Sequence, residues 1–147
     1  MQLGACAYVP LQAERRQPPH AGSPPAVSSS VTVWRLGELA TGDHERIALH
    51  DATGSHGMVS GSQIRLIANV AARVFSASPG SAAPEVLLAG FSSINAFAFV
   101  EDRRPTIAIT LGMLQLLGED ADAWAALLGH EFAHLRLNHL QTLGDRE

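Results

Sequence analysis

Ala121-Asp122-Ala123-Trp124-Ala125-Ala126-Leu127-Leu128-Gly129-His130-Glu131-Phe132-Ala133-His134-Leu135-Arg136 is the stretch on which the folding of this chain turns. At about 100° per residue, Trp124, Leu128, Phe132, Leu135 and His139 fall between about 120° and 200° from His130, a contiguous and largely apolar stripe. The spacing predicts a helix with that stripe toward a core and with His130 and His134 outside it. Its start is expected at Asp120 or Asp122, because an aspartate there accepts orphan N–H groups and sits at the positive end of the helix dipole. Its end is expected near His139. Leu127 and Leu137 flank the histidines, so their side of the helix reads as a partly covered cleft floor.

Residues four apart on a helix lie about 40° apart around the axis and about 6 Å along it, so two imidazoles can converge on one ion with bonds of about 2.0–2.1 Å. Glu131 is turned about 100° from His130. There a carboxylate can take a proton from an ion-activated water and pass it to a leaving amine, while zinc acidifies the water and polarises the carbonyl. The H-E-x-x-H pattern is a metalloprotease signature, and with 7 His in the chain chance supplies it about 2% of the time. Cys6 is the single cysteine, which removes intrachain disulfides and cysteine zinc clusters and leaves metal binding to histidine and carboxylate. His139, nine residues after His130, lies about 180° around the helix and reads as a partner for the C-terminal dipole. His44, His50 and His56 recur in a Gly-, Asp- and His-rich segment, Gly42 to Gly61, that reads as loop; they are expected to be solvated, although a loop histidine could complete a metal site.

Outward from this helix the chain resolves into short elements. Leu111 to Leu117 reads as a short helix ended by Gly118. Val86–Ala89, Ala96–Val100 and Thr106–Ile107-Ala108-Ile109-Thr110 read as strands, the last two joined across the five-residue break Glu101–Pro105 as a hairpin. Ile64, Ile67, Val70, Ala71, Val74 and Phe75 mark one face of a helix over 62–76, closed by Pro79-Gly80. Val31–Trp34 reads as a short strand. Residues 1–30, with five prolines and Ser28-Ser29-Ser30, hold too few large apolar groups to order and read as a disordered lead.

With 147 residues and a formal charge of −4, the chain is one domain's worth and lacks a basic stripe, which argues against nucleic-acid binding. The longest apolar run, Val86 to Val100, is about 15 residues, short of the roughly 20 needed to span a bilayer. Leu3-Gly4-Ala5-Cys6 resembles a bacterial lipoprotein cleavage box, yet only five residues precede Cys6 and none is basic. Either the true start lies upstream or the likeness is coincidence.

Taken together, Asn95-Ala96-Phe97-Ala98, Thr110-Leu111-Gly112 and Leu128-Gly129-His130-Glu131-Phe132-Ala133-His134 resemble the HtpX-like and CAAX-prenyl-protease family of zinc metalloendopeptidases over roughly Gly61 to His139. The resemblance implies an α+β, zincin-like catalytic domain, partial here, over residues 31–147: a small sheet from 86–110, flanked by the 62–76 helix and the metal-binding helix. It implies one zinc ion on His130 and His134, Glu131 as the general base, a polypeptide substrate, and a bacterial cell-envelope location. It also implies that Asn95, Ala96, Phe97 and Ala98 border a cleft in which an extended peptide adds to a sheet edge. The residues themselves allow a blander reading of Phe97 and Phe99, as alternating strand positions with one in the core.

Family members take a third zinc ligand, a glutamate, from a later helix, whereas the sequence in hand ends 13 residues after His134. Glu119, Asp120 and Asp122 lie two or more turns away on the same helix, and Asp145 and Glu147 could reach back only if Leu143-Gly144 breaks it. The expectation is therefore a truncated fragment that holds zinc weakly, turns over little, and is marginally stable or self-associates through an uncovered core. The alternative is an inactive fragment or pseudo-peptidase that binds peptide or a partner through its sheet edge; an accidental motif on an ordinary helix is the remaining possibility. Ligation by neutral imidazole makes zinc affinity fall as pH drops below about 6.5. Zinc titration at a series of pH values checks this, and affinity that rises on acidification contradicts histidine ligation.

Overall fold

The computed structural model describes residues 30–137. The Pro/Ser-rich lead before Ser30, with Leu3–Cys6, lies outside the described residues, as do His139, Asp145 and Glu147. In chain order the elements are β1 (Val33–Arg35), α1 (Leu36–Thr41), β2 (Arg46–His50), β3 (His56–Ser60), α2 (Gly61–Ser76), β4 (Glu85–Ala89), β5 (Ala96–Glu101), β6 (Arg104–Thr110), α3 (Leu111–Leu117) and α4 (Ala121–Arg136).

α4 begins where its capping chemistry requires. Asp120 is the N-cap, its Oδ1 accepting the N–H groups of Asp122 at 3.1 Å and Ala123 at 3.0 Å, and Asp122 adds a negative charge in the first turn. Trp124, Leu128 and Phe132 are buried, and Leu135 packs against the same core. The Trp124 indole N–H donates to the Gly118 carbonyl at 2.9 Å, which ties the first turn of α4 to the end of α3. The buried arc is wider than the stripe expected from the sequence, since it also takes in Leu127 and Glu131.

α2 buries Ile64, Ile67, Ala71 and Phe75, leaving Val70 and Val74 half-buried at the border of the stripe. Ser60 caps it by accepting the Gln63 N–H, and the buried Gln63 amide donates to the Leu114 carbonyl at 2.7 Å. α2 and α4 pack together, with Phe75 and Phe132 tilted at 56° and 5.0 Å between ring centres, a favourable aromatic geometry.

Both helices cover one face of a four-stranded mixed sheet ordered β1-β4-β6-β5, so the fold is α+β. β4 and β6 are parallel, while β1 and β5 run antiparallel to their neighbours. The sheet is one strand wider than the expected 86–110 unit, because β1 pairs with β4 across more than fifty residues of chain. Pro105 is tolerated in the central strand because it precedes Thr106, the first residue with a partner in β4, so no parallel rung needs its missing N–H.

Two expectations are corrected. The break between β5 and β6 is a two-residue turn, not five, because Asp102 and Arg103 both take positive φ (48° and 65°), the backbone of a tight hairpin turn; Glu101 and Pro105 are already in the ladder. The segment 42–61 is not loop but holds the β2–β3 hairpin, in which Ile47, Leu49 and Val59 are buried. Its apolar positions alternate only over three to five residues among Gly and His, too short a run to read as a strand. His50 and His56 are the hairpin pair nearest the turn, and the His50 Nδ1 is hydrogen-bonded to the Thr32 hydroxyl. At the tip, the Thr53 hydroxyl, with backbone N–H groups of Thr53, Ser55 and Gly54, holds the exposed Asp51 carboxyl below the usual carboxylate range. Phe97 and Phe99 follow the blander strand reading, Phe97 buried in a small second core and Phe99 half-buried against it. Two residues apart on a strand, they share the face away from the helices, 6.0 Å apart and beside Leu87 and Ala108.

Two outcomes test this packing. Asp120→Ala is expected to destabilise the chain by about 1 kcal/mol through loss of the cap. Trp124→Phe is expected to cost about 2–4 kcal/mol, combining unfilled volume with an unpaired Gly118 carbonyl. Denaturant unfolding measures both, and a Trp124→Phe chain as stable as the parent refutes the role given to the indole.

Candidate active site

The α4 backbone places His130 and His134 one turn apart at the margin of its buried arc, His130 exposed and His134 half-buried. Their rings stand edge to face at 88°, with centres 4.6 Å apart and the two Nε2 atoms 3.1 Å apart. Two zinc–nitrogen bonds of about 2.05 Å at a tetrahedral angle put their nitrogens about 3.4 Å apart. The pair is therefore within a few tenths of an ångström of the separation a shared ion needs. A single proton can bridge them as a hydrogen bond, whereas a cation takes both lone pairs. The donor set suits zinc.

Glu131 is only 2% exposed and lies on the buried side of the helix, flanked in projection by Leu127 and Trp124. The expected cleft floor is half present. Leu127 is buried, but Leu137 is 63% exposed, so the histidine side of α4 opens to solvent at its C-terminal end. Among the described residues no third His, Cys, Asp or Glu joins the histidines. Of the carboxylates upstream on this side of the chain, Asp120 caps α4 and Glu119 accepts hydrogen bonds from the Ser62 and Ser60 hydroxyls, while Asp122 lies in the first turn of α4. His44, His50 and His56 stay with the hairpin and its approaches, and no three-residue metal cluster forms around them among the described residues. Two open grooves of about 420 and 440 Å³, along α2 and beside α1, include none of the H-E-x-x-H residues.

β5 brings the second set of sequence-derived candidates to this helix. α4 packs on β5 and β6, and Ala96 and Ala98 face the helix layer within the main core. Side chains of one carbon there let a helix approach a strand closely. Asn95 is half-buried immediately before the strand; its backbone carbonyl accepts the Thr110 N–H at 3.1 Å, which makes Asn95 an inward-bonded position of the β5–β6 ladder. The antiparallel alternation then turns the backbone N–H and C=O of Ala96 and Ala98 away from β6, toward the outer edge. Among the described residues no strand pairs with that edge. Phe97, the fourth candidate, points to the far face of the sheet with Phe99, so only its backbone lies along the edge strand near α4.

Sequence reasoning did not single out the side chain that anchors this edge, the Thr110 hydroxyl, which reaches Ser93 and Asn95 fifteen to seventeen residues back. Its signals in the sequence were a threonine directly before a helix, the usual mark of a cap, and its place in Thr110-Leu111-Gly112. No helix among the described residues is long and apolar enough to cross a membrane.

Comparison with known proteins adds one finding. The sequence profile of peptidase family M48 matches residues 62–144, from the start of α2 through the H-E-x-x-H helix. No curated protein and no solved structure matches the chain. A match across more than half of the chain, which takes in the helix that carries the histidine pair, shows that the chain belongs to peptidase family M48, the metallopeptidase family of the HtpX-like and CAAX-prenyl proteases.

Proposed function

We propose that this chain carries the catalytic helix of a zinc-dependent, zincin-like metalloendopeptidase, with residues 31–147 forming part of its catalytic domain. The observation that carries the reading is the convergence of the His130 and His134 Nε2 atoms, 3.1 Å apart, beside the buried carboxylate Glu131. His130 and His134 hold one zinc ion, which when bound supplies Lewis acidity that acidifies water and polarises a peptide carbonyl.

The remaining steps belong to the chain. Glu131 removes a proton from the attacking water and returns it to the leaving amine, so that the amine departs neutral. Its enclosure on the buried side of α4 limits that exchange to groups within the cleft. The backbone of Ala96 and Ala98 offers hydrogen bonds to an extended polypeptide at the outer edge of β5, and the side chain of Asn95 lies at the mouth of that strand to orient it. Apolar and small neighbours along α4 and β5 restrict water around the reacting bond.

The test combines metal content with turnover. After dialysis the chain is expected to retain weakly held zinc that is lost when His134 is replaced by Ala. Casein hydrolysis by the zinc-supplemented chain is expected to fall by on the order of 10²–10⁴-fold in Glu131→Gln, the usual contribution of a general base. Equal hydrolysis by both chains removes Glu131 from the mechanism. Casein binding that persists unchanged in chelator, with no turnover, favours a peptide-binding module instead.

A further inference from the structure

The segment that joins β4 to β5 is held in place from two sides by residues at the β6–α3 junction. Thr110 ends β6 and is the N-cap of α3, and it is 1% exposed. Its Oγ1 accepts the N–H of Met113 at 3.3 Å and the N–H of Asn95 at 3.0 Å, while its one proton lies between the carbonyls of Asn95, at 2.8 Å, and Ser93. A regular antiparallel rung would send the Asn95 N–H to the Thr110 carbonyl. At an N-cap that carbonyl already serves the first turn of the helix, so the hydroxyl takes its place in the ladder. From the other side, the Gly112 N–H donates to the Phe91 carbonyl at 3.2 Å, and a Cβ on Gly112 would overlap the carbonyls of Ser92 and Ser93.

Asn95 is the last residue before β5, whose register against β6 opens at Ala96 opposite Ile109. Its two backbone groups make three hydrogen bonds, two of them to one hydroxyl. Removing that hydroxyl leaves a half-buried N–H without its partner and frees the first rung of an edge strand, which has no neighbour on its other side among the described residues to restore it. The hydrogen bonds of the Thr110 hydroxyl go to Ser93, Asn95 and Met113.

We infer that Thr110 is a positioning residue: its hydroxyl sets the height at which Asn95–Ala98 lies against α4, and so governs affinity for extended peptide without altering metal binding. This rests on the peptidase reading above. Thr110→Val removes both hydrogen-bonding functions at nearly constant shape, Thr110→Ser keeps them, and Gly112→Ala displaces the same segment from the opposite side.

The full chain, zinc-loaded and carrying Glu131→Gln to prevent cleavage, is titrated with fluorescein-labelled β-casein, and zinc affinity is measured in parallel. Thr110→Val and Gly112→Ala are expected to weaken casein binding about tenfold with zinc affinity unchanged within twofold, and Thr110→Ser to stay within twofold of the parent. Amide exchange at Asn95 is expected to accelerate in Thr110→Val and not in Thr110→Ser. Casein affinity unchanged in Thr110→Val, or lost equally in Thr110→Ser, overturns the inference and leaves the peptidase reading intact. Should Thr110→Val fail to fold, a folded Gly112→Ala chain with parental casein affinity overturns it equally. A parent chain that hydrolyses no casein and binds none removes the peptidase reading and this inference together.

Discussion

The packing of α4 onto a strand faced with alanine governs where the two histidines stand. Trp124, Leu128 and Phe132 anchor the helix in the core with α2, the last through the Phe75 ring, and Ala96 and Ala98 of β5 face the same layer. A helix can rotate about its axis only if its buried arc can be repacked, and a close-packed interior resists that. Once the arc from Leu127 to Phe132 is buried, the rotation of the helix is set, and with it the direction of His130 and His134 at the margin. The tryptophan N–H bond to Gly118 and the Asp120 cap fix the same helix along its axis.

Much of this was legible in the sequence because it depends on local periodicity. The 3- and 4-residue spacing of α2, the Asp120 cap and the apolar side of α4 are short-range patterns, and each element formed close to where its residues required. What escaped detection depends on partners distant in sequence. β1 was legible as a short strand at Val31–Trp34, but its pairing with β4 was not; α1 has six residues and no side-chain cap, and is held by Leu36 and Leu39 in the core. The β2–β3 hairpin hid behind Gly and His because only Ile47, Leu49 and Val59 of its residues are buried. In the site itself, the spacing of His130 and His134 carried the whole geometric argument, whereas the burial of Glu131 and the outward turn of Leu137 depend on how the sheet meets the helix and could not be read from α4 alone.

Membership of peptidase family M48 and the geometry of the pair meet on the same helix. The family match rests on residue identity along 62–144, and the nitrogen separation rests on how those residues are folded. Between the helix and the edge strand the division of labour is also physical. The groups proposed to hold metal ride on a helix anchored by Trp124, Leu128 and Phe132, while the backbone proposed to meet substrate belongs to a strand that, among the described residues, is bonded on one side only. Rigidity is concentrated where ligand geometry tolerates least error, and the edge strand takes its order from β6 and from Thr110.

An unpaired strand edge does not distinguish one extended chain from another. Ile94 and Val100, at the two ends of β5, are 61% and 59% exposed, and the strand carries no lysine, proline or bulge of the kind that usually discourages a neighbouring sheet from docking. The backbone proposed to grip a polypeptide is thus equally open to the same strand of another copy, so self-association and the proposed substrate contact draw on one surface.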